Sequence, residues 1–336
     1  MNLPLISVII VNWNGAAYLH TCLAALDAQT YAPIEIIMID NASTDHSCEV
    51  IEAFRSLCAN RFAAEPSRSH PDLRFIRNTR NEGFCRGNNQ GIHASGGEFV
   101  LLLNADVVLD SQFIERLVQI MHSDQSIGIA LGKLLSGSDP MKIDSTGIVI
   151  RKTRRAFDRG QREDDTGQYQ RIEEVFGASG AACLYRRAML EDIKYSHTEY
   201  LDELFFAYKE DVDLSWRARL CGWKCVYTPD AVGWHYRKWG TGKRKDIPIG
   251  VRRHSLKNRY VMMLKNEQRD TFWPHVLPIF WYELRSLGYI LVREPYLCAV
   301  LGDILRVWPN IMQKRKITQQ KSLQRGACEN MLPWFQ

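Results

Sequence analysis

The chain has 336 residues, of which 46% are hydrophobic and 24% charged, and its formal net charge is +5. This composition predicts a globular protein with one large or two modest domains. Eleven Lys or Arg against three Asp or Glu lie between Tyr236 and Asp270, which gives that segment +8 and the rest of the chain −3. We interpret the basic segment as a solvated face, or as a surface for a diphosphate or an anionic membrane. Nucleic acid is disfavoured as a partner, because no recognised binding motif accompanies the basic residues.

Nine cysteines are scattered along the chain. Cys221 and Cys225 have no second pair with which to complete a tetrahedral site, so structural zinc is disfavoured. The first apolar run, residues 5–11, is too short for a secretory signal and lacks a basic flank, so we interpret it as a buried strand. An odd number of cysteines without a signal segment favours a reducing cytoplasm.

Apolar, strand-like runs alternate with helical stretches through the first hundred residues. The strand-like runs are ISVIIVNW, IEIIMID, LRFIRN and EFVLLLNAD. This alternation predicts an α/β protein with a doubly wound, mostly parallel sheet and helices on both faces. Polar clusters follow three of the strands, at residues 12–15, 40–45 and 104–106. Because ligands bind such sheets at the carboxyl ends of the strands, we expect a ligand cleft there, although Asn, Asp and Gly also favour ordinary turns.

Two common nucleotide-binding motifs are missing from the sequence. The first strand leads into VNWNGAAY, with a single glycine, where a dinucleotide-binding fold needs GxGxxG. Gly242 and Lys243 are adjacent, but Arg237 and Arg244 occupy the other positions that a P-loop requires. The Rossmann dehydrogenase and P-loop hypotheses are therefore rejected.

The segment DELFFAYKEDVDLSWRAR, residues 202–219, contains five carboxylates within an aromatic, core-like pattern. Crowded carboxylates raise one another's proton affinity, so the segment is either a solvated acidic face or a place where a base is tuned. Its apolar residues argue against the solvated face. Apolar side chains recur at four-residue intervals and predict a helix that has Asp211 as its N-cap and ends at Gly222. A carboxylate at this loop-to-helix junction, Glu210 or Asp211, is suitably placed for a general base.

Five motifs occur together in a specific order and spacing: VIIVNWNG, IDNAST, NEGFCRGNNQG, LLLNAD and DELFFAYKEDVDLSWR. With these motifs, roughly residues 4–260 resemble glycosyltransferase family 2, the inverting enzymes of GT-A fold, and within it the bacterial rhamnosyltransferase-like members. The resemblance implies a GT-A catalytic domain over residues 1–260, with a nucleotide-sugar half to about residue 110 and an acceptor half after it. A helical C-terminal region, residues 261–336, would follow.

The resemblance also implies a set of donor-binding residues. Asp40 would accept a hydrogen bond from the pyrimidine imide of the nucleotide, and Asn12 and Asn14 would line the base and ribose pocket. An Asx turn is the alternative role for Asp40. The family places three residues of the glycine-rich motif near the nucleotide and sugar: Gly83, Asn88 and Asn89. A packing role for the glycines that recur every four residues in this motif is about equally supported.

A divalent cation, Mg²⁺ or Mn²⁺, is implied by the likeness of Asp106 to the last residue of the family's DxD motif, which holds the metal against the donor diphosphate. Asn104 occupies the first position of that motif, so the site carries one negative charge less and should bind metal weakly without nucleotide. Asn at this position is a trait of the rhamnosyltransferase-like members. His235, in GWHY, matches a family histidine that contacts metal or diphosphate; a core or surface histidine is the alternative.

The implied reaction is the attack of an acceptor hydroxyl on the anomeric carbon from the face opposite the nucleoside diphosphate. The hydroxyl must lose its proton as it attacks, and Asp211 is the predicted base, with Glu210 orienting the acceptor or the base. Asp213 and Arg217, spaced i and i+4 on the same helix, are predicted to form a supporting salt bridge. Three residues are predicted on the acceptor side: Gly177, Asp202 and Glu203.

From residue 272 onward, aromatic and aliphatic clusters alternate with charges. Glu283, Arg285, Arg293 and Glu294 interrupt the apolar runs before any reaches transmembrane length. Amphipathic helices on the inner-membrane surface fit the Trp, Tyr and Arg content and would bring the enzyme to a polyprenyl diphosphate-linked acceptor. Helices packed on the catalytic domain or across a homodimer are an equal alternative.

Together these inferences predict a metal-dependent inverting hexosyltransferase in the cytoplasm, peripheral on the inner face of the cell membrane. It would move L-rhamnose from dTDP-L-rhamnose to a glycan or lipid-linked acceptor during bacterial surface glycan synthesis, although the sugar depends on the subgroup resemblance alone. The alternative is a noncatalytic nucleotide- or carbohydrate-binding protein on the same fold, against which the intact Asp40, Asp106, Glu210 and Asp211 argue. A processive polysaccharide synthase is disfavoured, because the sequence has no transmembrane run and no QxxRW motif.

Overall fold

The structure is a computed structural model that describes residues 3–64, 72–237, 244–325 and 331–336. Within these ranges, ten strands form a central mixed sheet, and β8 and β9 form a separate hairpin. The strands are β1 (Ile6–Asn12), β2 (Ile34–Asp40), β3 (Asp72–Arg77), β4 (Phe99–Leu103), β5 (Val107–Leu109), β6 (Ile127–Ser136), β7 (Ile143–Ser145), β8 (Ile148–Ile150), β9 (Ala156–Asp158), β10 (Glu173–Glu174), β11 (Ala182–Arg186) and β12 (Lys224–His235). The α-helices are α1 (Ala16–Asp27), α2 (Ser47–Ala64), α3 (Phe84–Ala94), α4 (Phe113–Ser123), α5 (Arg187–Ile193), α6 (Glu210–Leu220), α7 (Ile249–Asn266), α8 (Arg269–Arg293) and α9 (Ala299–Gln324).

The sheet is parallel in its first half and mixed in its second. β3, β2, β1 and β4 lie side by side and run parallel. β11 pairs antiparallel with both β4 and β6, and β12 runs parallel to β6 on the far side. The predicted fold class, a mostly parallel α/β sheet of GT-A type with a helical C-terminal region, is confirmed.

Both faces of β1 are covered by helices, which explains its continuous apolar sequence. Val8 and Ile10 belong to the core that includes residues of α1 and α2, whereas Ile9 belongs to the core that includes residues of α3. The register of β1 and β2 pairs Asn12 with Asp40. The first two polar clusters are therefore neighbours at the carboxyl edge of the sheet.

The C-terminal helices share a core with α6. Val261 of α7 and Ile304 of α9 are buried in one cluster with Trp216 of α6. The boundary predicted at residue 260 falls within α7, between two buried turns of one helix. None of the helices in the described ranges combines the length and the apolar composition needed to cross a membrane.

The N-terminus of α6 differs from the prediction. The helix begins at Glu210, and the residue before it, Lys209, has a left-handed conformation with φ of 72° and no capping side chain. Asp211 lies inside the first turn, so its assignment as the N-cap is wrong. The predicted stop is confirmed: the helix ends at Leu220, and Gly222 follows with φ of 78°.

Candidate active site

The loops after β1 and β2 are joined to each other at the carboxyl edge of the sheet. The Asn12 amide donates to Asp40 Oδ1 and to Ser43 Oγ, both at 3.0 Å. Asp40 Oδ2 accepts from the Ser43 N–H at 3.0 Å, and Asp40 is only 1% exposed. Asp40 thus organises this turn, and its contact with a pyrimidine stays a prediction. Asn12 Oδ1 is buried and has no hydrogen-bond partner among the described residues.

Asn14 and Asp45 complete this double loop. Asn14 has φ of 52°, and its Oδ1 accepts from the Thr44 N–H at 2.8 Å. Asp45 accepts from the Ala16 N–H at the start of α1 and from the Ser47 N–H at the start of α2, each at 3.0 Å. One carboxylate therefore serves the positive ends of two helices and holds the two loops in a fixed relation.

The glycines of α3 allow the helix to lie close to β1. A Cβ on Gly87 would come within 2.8 Å of the Val11 side chain, and a Cβ on Gly91 would come within 2.3 Å of Ile9. Side-chain atoms do not approach a real Cβ this closely, so a residue with a side chain would push the helix from the sheet. Packing explains both glycines.

The three donor-site candidates of the same motif face the interior of the protein. Gly83 precedes α3 with φ of 87°, and a Cβ there would collide with the Phe206 ring. The Asn88 amide donates to a backbone carbonyl one turn earlier in α3, at 2.9 Å. Asn89 accepts from the Leu201 N–H and donates to the Leu201 carbonyl, both at 2.8 Å. Asn89 therefore anchors the chain that leads into the acidic segment.

Asp106 and His235 meet where β5 pairs with β12. Asp106 Oδ1 lies 3.4 Å from His235 Nε2, and Asp144 Oδ2 lies 2.8 Å from Nδ1 of the same imidazole. Arg237 forms an ion pair with Asp144, with 2.7 Å between Nε and Oδ1. Asp144 was missed in the sequence, because no motif marks it. It fixes the orientation of the histidine and leaves Nε2 directed towards Asp106.

The residues present at this pair fit a divalent cation. An oxygen and a nitrogen 3.4 Å apart can share one ion at about 2.1 Å from each, and a carboxylate on the outer imidazole nitrogen is the usual support of a metal-binding histidine. Burial lowers the pKa of His235, but the hydrogen bonds and charges of Asp106 and Asp144 outweigh it and raise the pKa to about 8. The described residues contain no group of three or more side chains arranged to hold a metal, so a cation here would need ligands from its substrate.

Glu210 and Asp211 form the first turn of α6, directly after a loop with unusual backbone angles. Three residues of this loop have positive φ values of 61°, 71° and 72°: Phe206, Tyr208 and Lys209. Each such conformation costs roughly 1 kcal/mol or more for a residue with a side chain. Asp211 Oδ2 accepts from the Gly180 N–H at 3.2 Å, and its Oδ1 accepts from the Val212 N–H at 2.8 Å.

The two carboxyl groups share an unusually high proton affinity. Glu210 is 8% exposed, and its Oε2 has no hydrogen-bond partner among the described residues. Burial, together with the charge of Asp211, raises the pKa of Glu210 to about 8. Burial also raises the pKa of Asp211; Lys209 opposes this rise and Asp158 adds to it. At neutral pH the pair therefore holds more protons than two exposed carboxyl groups would.

One backbone segment connects the LLLNAD motif to Asp211. The Asn104 N–H donates to the Ala181 carbonyl at 2.8 Å, and the neighbouring Gly180 N–H donates to Asp211. Two hydrogen bonds, to and from neighbouring peptides, thus link the LLLNAD motif to the start of α6. These bonds join Asn104 to Asp211, more than a hundred residues later in the chain.

The residues predicted on the acceptor side lie in different environments. Gly177 contacts α6, where a Cβ would come within 2.4 Å of a serine side chain. Glu203 is exposed. Asp202 is fully buried and forms ion pairs with Lys265 and Lys314. Its carboxylate is therefore part of the interior and is not presented to an acceptor.

A buried ion network connects α6 to α7. Asp213 forms ion pairs with Arg217 at 3.0 Å and with Lys265 at 2.8 Å, and it accepts from the Asn266 amide at 2.8 Å. The predicted Asp213–Arg217 salt bridge is confirmed. Lys265, which pairs with both Asp202 and Asp213, was missed in the sequence. Burial lowers the pKa of Lys265, but the two carboxylates outweigh it and hold the pKa well above its usual range.

Asn258 of α7 holds the loop in front of the catalytic helix. It is fully buried, and its amide donates to the carbonyls of Phe205, Ala207 and Tyr208 at 2.9, 2.8 and 2.8 Å. These bonds fix the backbone at the residues with positive φ, immediately before Glu210. Helix α7, which extends across the predicted domain boundary, therefore takes part in shaping the candidate site.

Comparison with known proteins agrees with this architecture. The model of glycosyl transferase family 2 matches residues 7–194. Poly-beta-1,6-N-acetyl-D-glucosamine synthase of Staphylococcus epidermidis is 23% identical over 233 residues, 68% of this chain and 49% of that protein. The putative glycosyltransferase EpsH of Bacillus subtilis is 24% identical over 218 residues, 62% of this chain and 56% of that protein. The chain thus spans about half the length of these relatives.

Solved structures share the fold at low sequence identity. S. aureus TarS 1–349 in complex with UDP-GlcNAc aligns with a TM-score of 0.57 and 16% identity, over 96% of this chain and 92% of that one. The mannosyltransferase PcManGT from Pyrobaculum calidifontis, in complex with GDP-Man and Mn²⁺, aligns with a TM-score of 0.52 and 15% identity, over 95% and 87%. Since the family model covers more than half of its residues, the chain belongs to glycosyl transferase family 2.

Proposed function

We propose that the chain is an inverting glycosyltransferase that moves a sugar from a nucleotide donor to an acceptor hydroxyl. The observation that carries the proposal is the junction at Gly180 and Ala181, whose backbone joins Asn104 of the LLLNAD motif to Asp211. A group that binds the donor diphosphate and a group that removes a proton from the acceptor must lie at one site, and this junction supports that arrangement.

In the proposed reaction, Asp211 accepts the acceptor's hydroxyl proton while the hydroxyl oxygen bonds to the anomeric carbon. The bond from that carbon to the diphosphate oxygen breaks, and its electron pair leaves with the nucleoside diphosphate. Glu210, with a pKa of about 8, is mostly protonated at neutral pH. A neutral Glu210 can donate a hydrogen bond to the incoming acceptor without adding a second negative charge beside the base.

Asp106 and His235 would hold a divalent cation, Mg²⁺ or Mn²⁺, which when bound neutralises charge on the diphosphate. Asp144 keeps the imidazole in the orientation that directs Nε2 towards Asp106, and Arg237 balances the charge of Asp144. With two ligands from the chain, affinity for the metal alone should be low. Asn104 carries no charge where an aspartate would, which should lower the affinity for the metal further.

For the donor, we propose a dTDP-sugar, with L-rhamnose as the transferred sugar. The support is the motif resemblance, in which Asp40 would accept the imide N–H of a pyrimidine, and the neighbouring Asn12 Oδ1, a buried acceptor without a partner among the described residues. Around it, Asn14 and Asp40 would shape the base pocket, and Gly83, Asn88 and Asn89 would hold the neighbouring backbone. The two solved structures named above contain UDP-GlcNAc and GDP-Man, so the choice of base needs an experiment.

For the acceptor, we propose a glycan or a polyprenyl diphosphate-linked sugar of the bacterial cell surface, reached from the cytoplasmic side of the membrane. A relative named as a poly-beta-1,6-N-acetyl-D-glucosamine synthase supports a glycan as the acceptor. On the acceptor side we propose Glu203, which is exposed, while Gly177 would contribute through its packing on α6 and Asp202 through the ion network.

A thermal-shift panel tests the donor and the metal together. We expect dTDP and dTDP-sugars to raise the Tm by several degrees, more with Mn²⁺ than without, and Mn²⁺ alone to have little effect. Preference for uridine or guanosine compounds would overturn the choice of donor. Release of nucleoside diphosphate with an acceptor mixture tests catalysis; binding of the nucleotide without any release would favour the noncatalytic alternative.

A further inference from the structure

The helix α8 has apolar residues on the side that faces away from the protein. Its packed side is marked by Thr271, His275 and Ile279, which are all buried. Six large apolar residues on the opposite side are 48–67% exposed: Trp273, Leu277, Phe280, Leu284, Leu287 and Leu291. Their spacing alternates between four and three residues, so they lie on one line along the helix. We call this line the apolar stripe; at 1.5 Å per residue it is roughly 27 Å long.

The segment that contains the apolar stripe has a basic composition. Residues 244–325 contain sixteen Lys or Arg and six Asp or Glu, a net charge of +10, whereas the rest of the chain carries −5. Arg285 and Arg293 are exposed on α8 itself. The one glutamate within the length of the stripe, Glu283, points to the protein, because it contacts Arg259 and Tyr260 of α7 at 2.6 Å each.

We propose that the apolar stripe of α8 docks on the surface of an anionic lipid bilayer. A helix with Trp, Phe and Leu on one face, within a segment rich in Lys and Arg, matches the composition of helices that lie in the membrane interface. The exposed tryptophans, Trp273 and Trp281, suit the boundary between headgroups and acyl chains. An anionic leaflet would attract the basic region and orient this face towards the bilayer.

A second copy of the chain is the competing occupant, because a four-three spacing also fits a pair of helices. A symmetric pair, however, brings the same basic segment of two copies together. The glutamate that could balance its charge is already engaged with α7. Charge complementarity therefore favours the lipid surface.

The inference deepens the membrane location in the proposed function and rests on it for its purpose, but lipid binding can be measured without any sugar transfer. The test is sedimentation of the full chain with vesicles of phosphatidylcholine, with and without phosphatidylglycerol. We expect binding to the anionic vesicles to be at least about tenfold tighter than to the neutral ones and to weaken as salt is added.

Two variants identify the surface. Leu277→Gln/Leu284→Gln/Leu287→Gln should weaken binding to anionic vesicles by about 100-fold, since three exposed leucines lose their insertion. Arg285→Gln/Arg293→Gln should weaken it by about tenfold and reduce the preference for phosphatidylglycerol. The matched control is Met141→Gln/Ile172→Gln/Leu323→Gln, which changes three residues that are 56–71% exposed outside α8 and should bind as the wild type does.

Failure of the wild type to bind either vesicle, or unchanged binding by the leucine variant, would overturn the proposal. A dimer in analytical ultracentrifugation that the leucine variant abolishes, together with no vesicle binding, would assign the stripe to a second copy. Vesicle binding that persists in a protein without measurable sugar transfer would support the docking surface while removing the proposed activity.

Discussion

The double loop after β1 and β2 and the acidic segment before α6 use the same kinds of side chain in opposite ways. In the double loop, Asp40 and Asp45 accept hydrogen bonds from backbone N–H groups and side chains around them. In the acidic segment, Glu210 is buried with an oxygen that has no partner among the described residues. The polar groups of the double loop stabilise its conformation. In the acidic segment, the buried Glu210 lowers stability, and other contacts must offset this.

This difference indicates that the two regions serve different purposes. A carboxylate with all its bonds made inside the protein gives a rigid frame for a ligand, and a buried carboxyl group with raised proton affinity is available for chemistry. Burial of the Glu210 carboxyl group is unfavourable by itself, and the loop before Glu210 adds three residues with positive φ. The contacts of α7 through Asn258 and Lys265 supply the stabilisation that the segment lacks.

The largest expected effects are on the kinetic constants, and they differ between the two regions. Asp211→Asn should lower kcat by about 10³-fold, because it removes the proposed base. Asp40→Asn should raise the KM for the donor by about tenfold with little change in kcat, because the double loop binds and does not react. Steady-state rates of nucleoside diphosphate release give both constants. Near-wild-type turnover by Asp211→Asn, with donor binding retained, would remove Asp211 from its role.

The next effect concerns the ion network behind the acidic segment. Lys265→Met should lower the free energy of unfolding by about 3–5 kcal/mol, because Asp202 and Asp213 would stay buried without their shared cation. The matched control is Lys142→Met, whose ion pair with Asp164 is exposed, and its effect should be much smaller. Urea unfolding of both variants gives the comparison. Equal effects would mean that the network contributes no more than a surface pair.

Substitution of Asn258 tests whether α7 affects the rate of catalysis as well as the stability of the protein. Asn258→Ala should lower kcat by roughly 10–100-fold, since a displaced loop misplaces Glu210 and Asp211, while the KM for the donor should change little. Asn258→Asp keeps the shape but loses the N–H donors, so it should not restore the rate. The control Tyr31→Phe loses one hydrogen bond, to the Pro4 carbonyl, and should keep the wild-type kcat. If the control loses as much activity, general destabilisation would be the cause.

The sequence allowed the fold class and the two regions to be predicted, because both depend on local patterns. Alternating strands and helices imply the sheet, and the LLLNAD and KEDVD motifs mark the two sets of carboxylates. The conformation of the backbone before α6 could not be predicted in this way. It arises from contacts with Asn258, about fifty residues later, and a helix N-cap at Asp211 was the reasonable local expectation.

The supporting residues were harder to find, although one signal was present. Asn258, Val261, Met262 and Lys265 recur with helical spacing and are all buried on α7. Polar residues on the buried face of a helix indicate buried partners, so this pattern could have pointed to the ion network. Asp144 had no such signal, because its role depends only on the position of His235 in the folded chain.

The smallest expected effect is a gain in stability that depends on pH. The pKa of Glu210 is raised to about 8 in the folded protein from a usual 4.5, so the folded state holds a proton that the unfolded state releases between these values. Wild-type stability should therefore fall as pH rises from about 4.5 to 8, and Glu210→Gln, which stays neutral, should avoid this loss. At pH 8 we expect the variant to be more stable than the wild type, with no difference near pH 4. Urea unfolding at several pH values, with Glu98→Gln at an exposed position as the control, measures this. A difference that is the same at every pH would show that Glu210 is ionised in the folded protein, and the contrast between the acidic segment and the double loop would then lose its electrostatic basis.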